Sequence, residues 1–349
     1  MQSTAEPTAL PTMKQLQPRL APYARPDERR SLWQLANSLI PYFALWAAMI
    51  YTLQASMSYW ITLGLAVLAA GFLVRIFIIF HDCGHNSFFR STRANKRVGF
   101  LLGLLVFTPS EHWWRSHAIH HATSGNLDKR GIGDVTMLTA EEFENLPWTG
   151  RLGYRLFRNP FIMFGLGPLF MFLLMHRLPS PKLGRRYTLN VLLADLGIVL
   201  LAAAVSLAFG FRTYVLVQLP VIWMGGMVGV WMFYIQHQFE DTYFVRSDRW
   251  DFVAAGLLGT SFYRLPRLLQ WFTGNIGFHH LHHLNPSIPN YNLEAARQAV
   301  PEIFPWEKVI EPGKELSALR CKLYDEPRMR MIGFPPWGKR RTDAETGRA

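Results

Sequence analysis

Charged side chains are scarce in this sequence: Asp, Glu, Lys and Arg make up 17% of its 349 residues, against roughly 25% for an ordinary soluble domain. The deficit argues against a surface that faces only water and points to lipid as part of the solvent. Cysteine is almost absent. Cys83 and Cys321 are too few and too far apart for a disulfide framework or a cysteine-rich zinc site, and they cannot hold an iron–sulfur cluster. Acidic residues are outnumbered 24 to 36 by Lys and Arg, leaving a net charge of +12. That excess suits a nucleic acid, an anionic membrane or an acidic protein. Long apolar runs favour the last two, so no nucleic-acid partner is expected. The segment from Met1 to about Arg30 lacks a short apolar core with a small-residue cleavage site, which excludes a secretory signal. Its five prolines predict a loose tail that becomes amphipathic near Leu32 and Trp33.

Spanning a bilayer takes about 20 mainly apolar residues in a helix, and four stretches qualify: about 35–57, 59–80, 188–209 and 213–235. Each pair is separated by a turn so short that it must form a hairpin. Arg75, near the end of the second span, is expected to reach toward the interface. The runs 98–109 and 161–175 are too short to span and are read as re-entrant or interfacial. Basic residues crowd Arg19 to Arg30, Arg90 to Arg97 and Lys182 to Arg186, while the two hairpin turns hold only Arg212. By the positive-inside rule both termini and the long middle segment are cytoplasmic. The expected fold is an all-α integral membrane protein of four transmembrane helices in two hairpins. Residues 1–34 form an N-terminal tail, and 35–349 form one domain whose cytoplasmic helical cap (81–186 and 236–349) holds a histidine-rich dimetal site.

Histidines carry the chemistry. Three clusters fall on that cytoplasmic side: HDCGH with His81 and His85, HAIHH with His117, His120 and His121, and HHLHH with His279, His282 and His283. Residues three and four apart share a helical face, so each box offers its imidazoles together in a chelating arrangement. Eight imidazoles are too many for one tetrahedral zinc and about right for two metals. His237, directly after the fourth span, is a ninth candidate. His280 points roughly 100° away from the ligand row and is read as structural, as are His112 and His176. No HExxH motif supports a single-zinc protease. Imidazole serves zinc, copper, iron and nickel alike, but a redox metal gives a nitrogen-rich site among apolar helices a task, the oxidation of a hydrocarbon. An unactivated C–H bond offers an acid or base nothing to grip, so an oxygen-binding cofactor must carry that step.

At these residues the sequence resembles the membrane fatty acid desaturase superfamily, whose signature is HxxxH or HxxxxH, then HxxHH, then a late HxxHH. HDCGHNSFF, GNLDKRGIGDVTMLT, QHQFED and NIGFHHLHHLNPSIPNYNL are similar to bacterial and plastid acyl-lipid omega-6 (Δ12) desaturases, and the resemblance covers about 35–293. It implies two iron ions held by the three boxes with His237, and dioxygen as co-substrate. The reaction implied is removal of two hydrogens from a mono-unsaturated acyl chain carried on a lipid, coenzyme A or acyl carrier protein. No haem loop or ferredoxin-like domain is fused to the chain, so an external, ferredoxin-like electron donor is expected, and a bacterial inner membrane is the default location. Competing readings are a di-iron fatty acyl or carotenoid hydroxylase or ketolase, and a zinc-dependent membrane lipid hydrolase.

Candidates to orient the imidazoles through their second nitrogens are Asp82, Asn86, Asp128, Asp134 and Glu240, with Asp241 beside it. Asp128 and Asp134 can equally terminate helices and turns. Trp113 and Trp114 are read as interface anchors or packing rather than catalytic groups, and Cys83 as a buried thiol.

Overall fold

The computed structural model describes residues 9–179 and 184–337; Lys182, Lys339, Arg340 and Arg341 lie outside the described residues. Helix α1 (Met13–Leu20) precedes a long hairpin, α2 (Glu28–Gln54) and α3 (Tyr59–Gly84), which is followed by α4 (Thr92–Leu105) and α5 (Ser110–Thr123). The short helices α6 (Ala140–Asn145), α7 (Trp148–Phe157) and α8 (Gly167–Leu173) lead to a second long hairpin, α9 (Arg185–Phe209) and α10 (Phe211–His237). Beyond it come α11 (Phe252–Leu258), α12 (Arg267–Phe272), α13 (His279–Leu284) and α14 (Leu293–Ala299). The short strands are β1 (Leu138–Thr139), β2 (Ser261–Tyr263), β3 (Lys308–Ile310), β4 (Leu323–Asp325) and β5 (Arg330–Ile332). β1 runs parallel to β4, which pairs antiparallel with β5, and β2 runs parallel to β3. The hydrophobic pattern gave no sign of these two small sheets.

The four long helices hold 25 to 27 residues each, and at about 1.5 Å per residue each exceeds a hydrocarbon core of about 30 Å. The chain is an integral membrane protein. The first span begins earlier than its hydropathy suggests because Asp27 caps it, accepting from the backbone N–H groups of Arg29 and Arg30 at 2.9 and 3.2 Å. This cap satisfies two donors that a helix start leaves open. α3 is the most buried of the four and carries the main core. α10 crosses it at Gly225, where an added Cβ would lie 3.1 Å from Leu73 Cδ2. α3 and α10 both run toward the same end of the bundle and finish there, at His81 to His85 and at His237.

Three expectations fail. The supposedly loose tail contains α1, opened by a Thr12–Gln15 capping box, and its Leu16 and Leu20 are fully buried against the region of α13. Arg75 does not reach out: it is buried, donates to the Trp271 carbonyl and lies 3.9 Å from the Trp271 ring centroid. That contact brings α12, expected in the cap, against the middle of α3, where an added Cβ on Gly71 would meet the Phe272 ring at 3.0 Å. Of the two readings given to Trp113 and Trp114, packing holds: both lie against the main core, with Trp114 Nε1 donating to the Phe80 carbonyl at 3.1 Å. The indole of Trp114 fills the space beside Gly84 and Gly99, where a Cβ would stand 2.3 and 2.5 Å away.

Candidate metal centre

Each histidine reaches the centre from a different support. His81 lies in the last turn of α3, and His85 caps that helix before Asn86 turns the chain away with φ +56°, a left-handed conformation that asparagine tolerates. α5 carries His117, His120 and His121, α10 ends on His237, and α13 carries His279, His282 and His283. Their nitrogens form two groups: His81, His85, His117, His121 and His282 in one, and His120, His237, His279 and His283 in the other, each within 4.8 Å. The sequence reading assigned all three imidazoles of an HxxHH box to one helical face. The structure divides them. In α5 the i,i+4 pair His117 and His121 serves the five-nitrogen group and His120 the other; in α13 the pair His279 and His283 serves the four-nitrogen group and His282 the first.

The nitrogen contacts do not work as hydrogen bonds. His121 Nε2 lies 3.1 Å from His117 Nε2 and 3.0 Å from His282 Nε2. His279 Nε2 lies 2.9 Å from His237 Nε2 and 3.1 Å from His283 Nε2. An imidazole nitrogen carries either one hydrogen or one lone pair, so neither central atom can satisfy both neighbours. A cation that draws all the lone pairs does. With metal–nitrogen bonds of about 2.1 Å, adjacent ligand atoms of an octahedron stand roughly 3 Å apart. His85 Nε2 and His120 Nε2 are buried without a hydrogen-bond partner. Burial, with neighbouring imidazoles adding to it, pushes His85, His117, His121, His279, His282 and His283 well below the usual histidine pKa. Neutral imidazole is the form that binds metal, so the donor set fits two metal ions.

Two carboxylates act on the outer nitrogens of this set. Asp82 Oδ1 accepts from His81 Nδ1 at 3.1 Å, while its Oδ2 accepts from the backbone and side-chain N–H of Asn290 at 2.7 and 2.8 Å. Gln34 in α2 donates to Asn290 Oδ1 at 2.8 Å, so the first span is tied to the centre. Asp134 accepts from His120 Nδ1 and from the Gly131 N–H. Aromatic rings lie close to both groups: Trp113 stacks on His117 with centroids 4.6 Å apart, and Phe233 lies 5.1 Å from His120 and 5.0 Å from His237. A cavity of about 170 Å³ opens beside His120 and His237, lined also by Asp134, Met137, Leu138 and Phe233.

With this geometry in view, the comparisons with known proteins are decisive. The fatty acid desaturase family matches residues 58–311. The chain belongs to that family. A fatty acid desaturase of Bacillus subtilis (strain 168) is 48% identical over 331 residues, 94% of this chain and 93% of the relative. An sn-1 oleoyl-lipid 12-desaturase of Synechocystis is 27% identical, covering 76% of this chain and 75% of its own. An endoplasmic-reticulum omega-3 fatty acid desaturase of Vigna radiata is also 27% identical, with 64% and 60% covered. This desaturase is thus an oxidoreductase acting on a fatty acyl substrate.

Several sequence candidates lie elsewhere in the desaturase. Asn86 is exposed and serves the turn after α3. Asp128 pairs with Arg246 at 2.9 Å and accepts from the Ser247 N–H at 2.8 Å, so it closes a loop. Glu240 pairs with Arg330 at 3.5 Å, and Asp241 pairs with Lys308. Both carboxylates lean outward because the chain leaves α10 at Gln238 and turns away from the imidazoles. His112 and His176 belong to neither group, and Cys83 is buried in the core. Asn290, Gln34 and Phe233 were missed. Asn290 stands in NPSIPNYNL, a stretch the sequence picked out without giving it a task.

Proposed function

We propose that the nine histidines ligate two iron ions and that the enzyme introduces a cis double bond into a mono-unsaturated acyl chain, at the Δ12 or omega-6 position, using dioxygen and electrons from a separate, ferredoxin-like protein. The observation that carries this reading is the division of nine buried or half-buried imidazoles into two groups whose nitrogens converge without hydrogen-bonding roles. Iron, when bound, supplies the oxygen activation needed to take hydrogen from an unactivated C–H bond. The chain's own residues position and protect. Asp82 and Asp134 fix the tautomers of His81 and His120 by accepting from Nδ1, which leaves Nε2 free to face inward. Trp113 and Phe233 keep water from the imidazoles they cover. The cavity beside His120 and His237 is below the roughly 300 Å³ of a usual small-molecule pocket, so it accommodates part of an acyl chain.

The Δ12 position is supported by the 12-desaturase named among the relatives, against an omega-3 enzyme at equal identity. The basic residues flanking the spans support a bacterial inner membrane with both termini and the metal centre on the cytoplasmic face. Expression of the chain in a host that makes mono-unsaturated lipids, followed by fatty acid analysis, tests reaction and position together. A second double bond six carbons from the methyl end is expected. A retained oxygen atom in the product would replace desaturation with hydroxylation or ketone formation. Zinc in the purified protein, with turnover that needs no reductant, would replace it with hydrolysis.

A further inference from the structure

The third histidine box contains one imidazole that neither nitrogen group uses. His280 is fully buried, and its Nε2 donates to Glu307 Oε1 at 2.9 Å, on the side of α13 away from the metal centre. Glu307, with its side chain 1% exposed, also accepts from Arg297 Nε at 2.7 Å and Nη2 at 2.5 Å. The Arg297 guanidinium lies 4.9 Å from the Phe262 ring and 4.2 Å from the Phe304 ring. Phe262 in turn stacks on Phe278, the residue that opens the box helix, with centroids 4.7 Å apart. One buried carboxylate therefore joins α13 to α14 and to the chain entering β3.

We propose that His280 and Glu307 are positioning residues that set the rotation of α13, and so allow one short helix to serve both nitrogen groups at once. The inference rests on the ligand reading given above. α13 has six residues, and a helix so short has negligible stability of its own, so its orientation comes from what it touches. Successive residues project about 100° apart, and a bond that fixes His280 fixes the directions of His279, His282 and His283 together. A role in stability alone accounts poorly for this arrangement, because a buried ion pair is often no more stabilising than apolar packing of the same volume.

The test compares His280→Leu with His280→Gln in full-length protein purified in detergent and loaded with iron. Both variants leave the Glu307–Arg297 pair intact, and only glutamine restores an N–H donor toward Glu307. The rate at which a chelator strips the metal is measured, alongside the melting temperature of the metal-free protein. His280→Leu is expected to release both metals about tenfold faster than wild type, the effect typical of a lost outer partner, whereas His280→Gln stays within about twofold. Equal release from wild type and both variants would overturn the inference, as would release that tracks the melting temperature of the metal-free protein. Loss of one metal while the other is held at the wild-type rate would also overturn it. A wild-type chain that binds no metal would overturn the ligand reading and this inference together, so the two failures are distinguishable.

Discussion

The two nitrogen groups differ in number, in support and in access. The first has five imidazoles, drawn from α3, α5 and α13, while the second has four, from α5, α10 and α13. The cavity touches the second group, at His120 and His237, and no histidine of the first lines it. A group with five donors is nearly closed around an ion that takes six ligands; a group with four leaves positions open. Structural metal sites are closed and catalytic ones keep an open position, so, on the proposed ligation, the asymmetry would leave the smaller group to exchange with small molecules.

The largest expected effect comes from removing one imidazole from each group. His85→Ala leaves four donors in the first group and is expected to keep close to two metals per chain. His283→Ala leaves three in the second and is expected to drop to about one, and turnover is lost in both variants because the chemistry needs the pair. Metal analysis of the two purified proteins decides the matter, and equal losses would erase the asymmetry. His237→Ala should resemble His283→Ala, while His112→Ala and His176→Ala retain both metals.

Next in size are the two carboxylates that orient imidazoles. Asp134→Asn is expected to weaken metal binding at the second group about 10- to 100-fold and Asp82→Asn at the first by a similar factor, with Asp128→Asn near wild type. Stepwise chelator titration separates the sites. If Asp128→Asn weakens binding as much as Asp134→Asn, the contacts seen for these side chains do not govern the metals.

Much of this was legible in the sequence, and the reasons are local. His81, His85, His117, His120, His121, His279, His282 and His283 declared themselves through spacing along helices, and the four spans through runs of apolar residues. The division of each box between two groups was not legible, because it depends on the angle at which α5 and α13 meet, a tertiary quantity. Asp82 and Asp134 were found and Asn86, Asp128 and Glu240 were not distinguished from them, since nearness in sequence says nothing of which way a side chain turns after a helix ends. Arg75 misled for a related reason: hydropathy registers its depth in the bilayer but not the Trp271 carbonyl that satisfies it.

A smaller change sharpens the comparison from the backbone side. Gly133 has φ +76°, and a Cβ added there would lie 2.7 Å from the Ser116 carbonyl oxygen and 3.0 Å from His120 Cβ. Gly131, with φ +112°, has open space at the same position. Both alanine variants incur strain of about 1–3 kcal/mol from the backbone conformation, but only Gly133→Ala presses on a histidine of the second group. It is expected to lower metal affinity there several-fold, with Gly131→Ala lowering thermal stability alone. Metal titration combined with melting curves tells the two apart.

The smallest effect concerns the surface outside the first group. Arg93, Lys96 and Arg97 are exposed on α4, the helix whose Gly99 seats Trp114 behind His85's end of α3. On the proposed orientation, part of this charge would serve topology and anionic lipid, each basic residue near such a surface contributing about 1 kcal/mol. The rest is available to steer an acidic donor, and steering by exposed charge fades as the Debye length falls from about 10 Å at 0.1 M to 3 Å at 1 M salt. Turnover supported by reduced ferredoxin in a neutral detergent is therefore expected to decline with ionic strength through the donor's apparent affinity. Replacing Arg93, Lys96 and Arg97 by Gln should raise that apparent constant at low salt, flatten its salt dependence and leave both metals in place. A flat salt response in the wild-type enzyme would discard charge steering altogether, and a response equally steep in the triple variant would leave this face of α4 to the membrane.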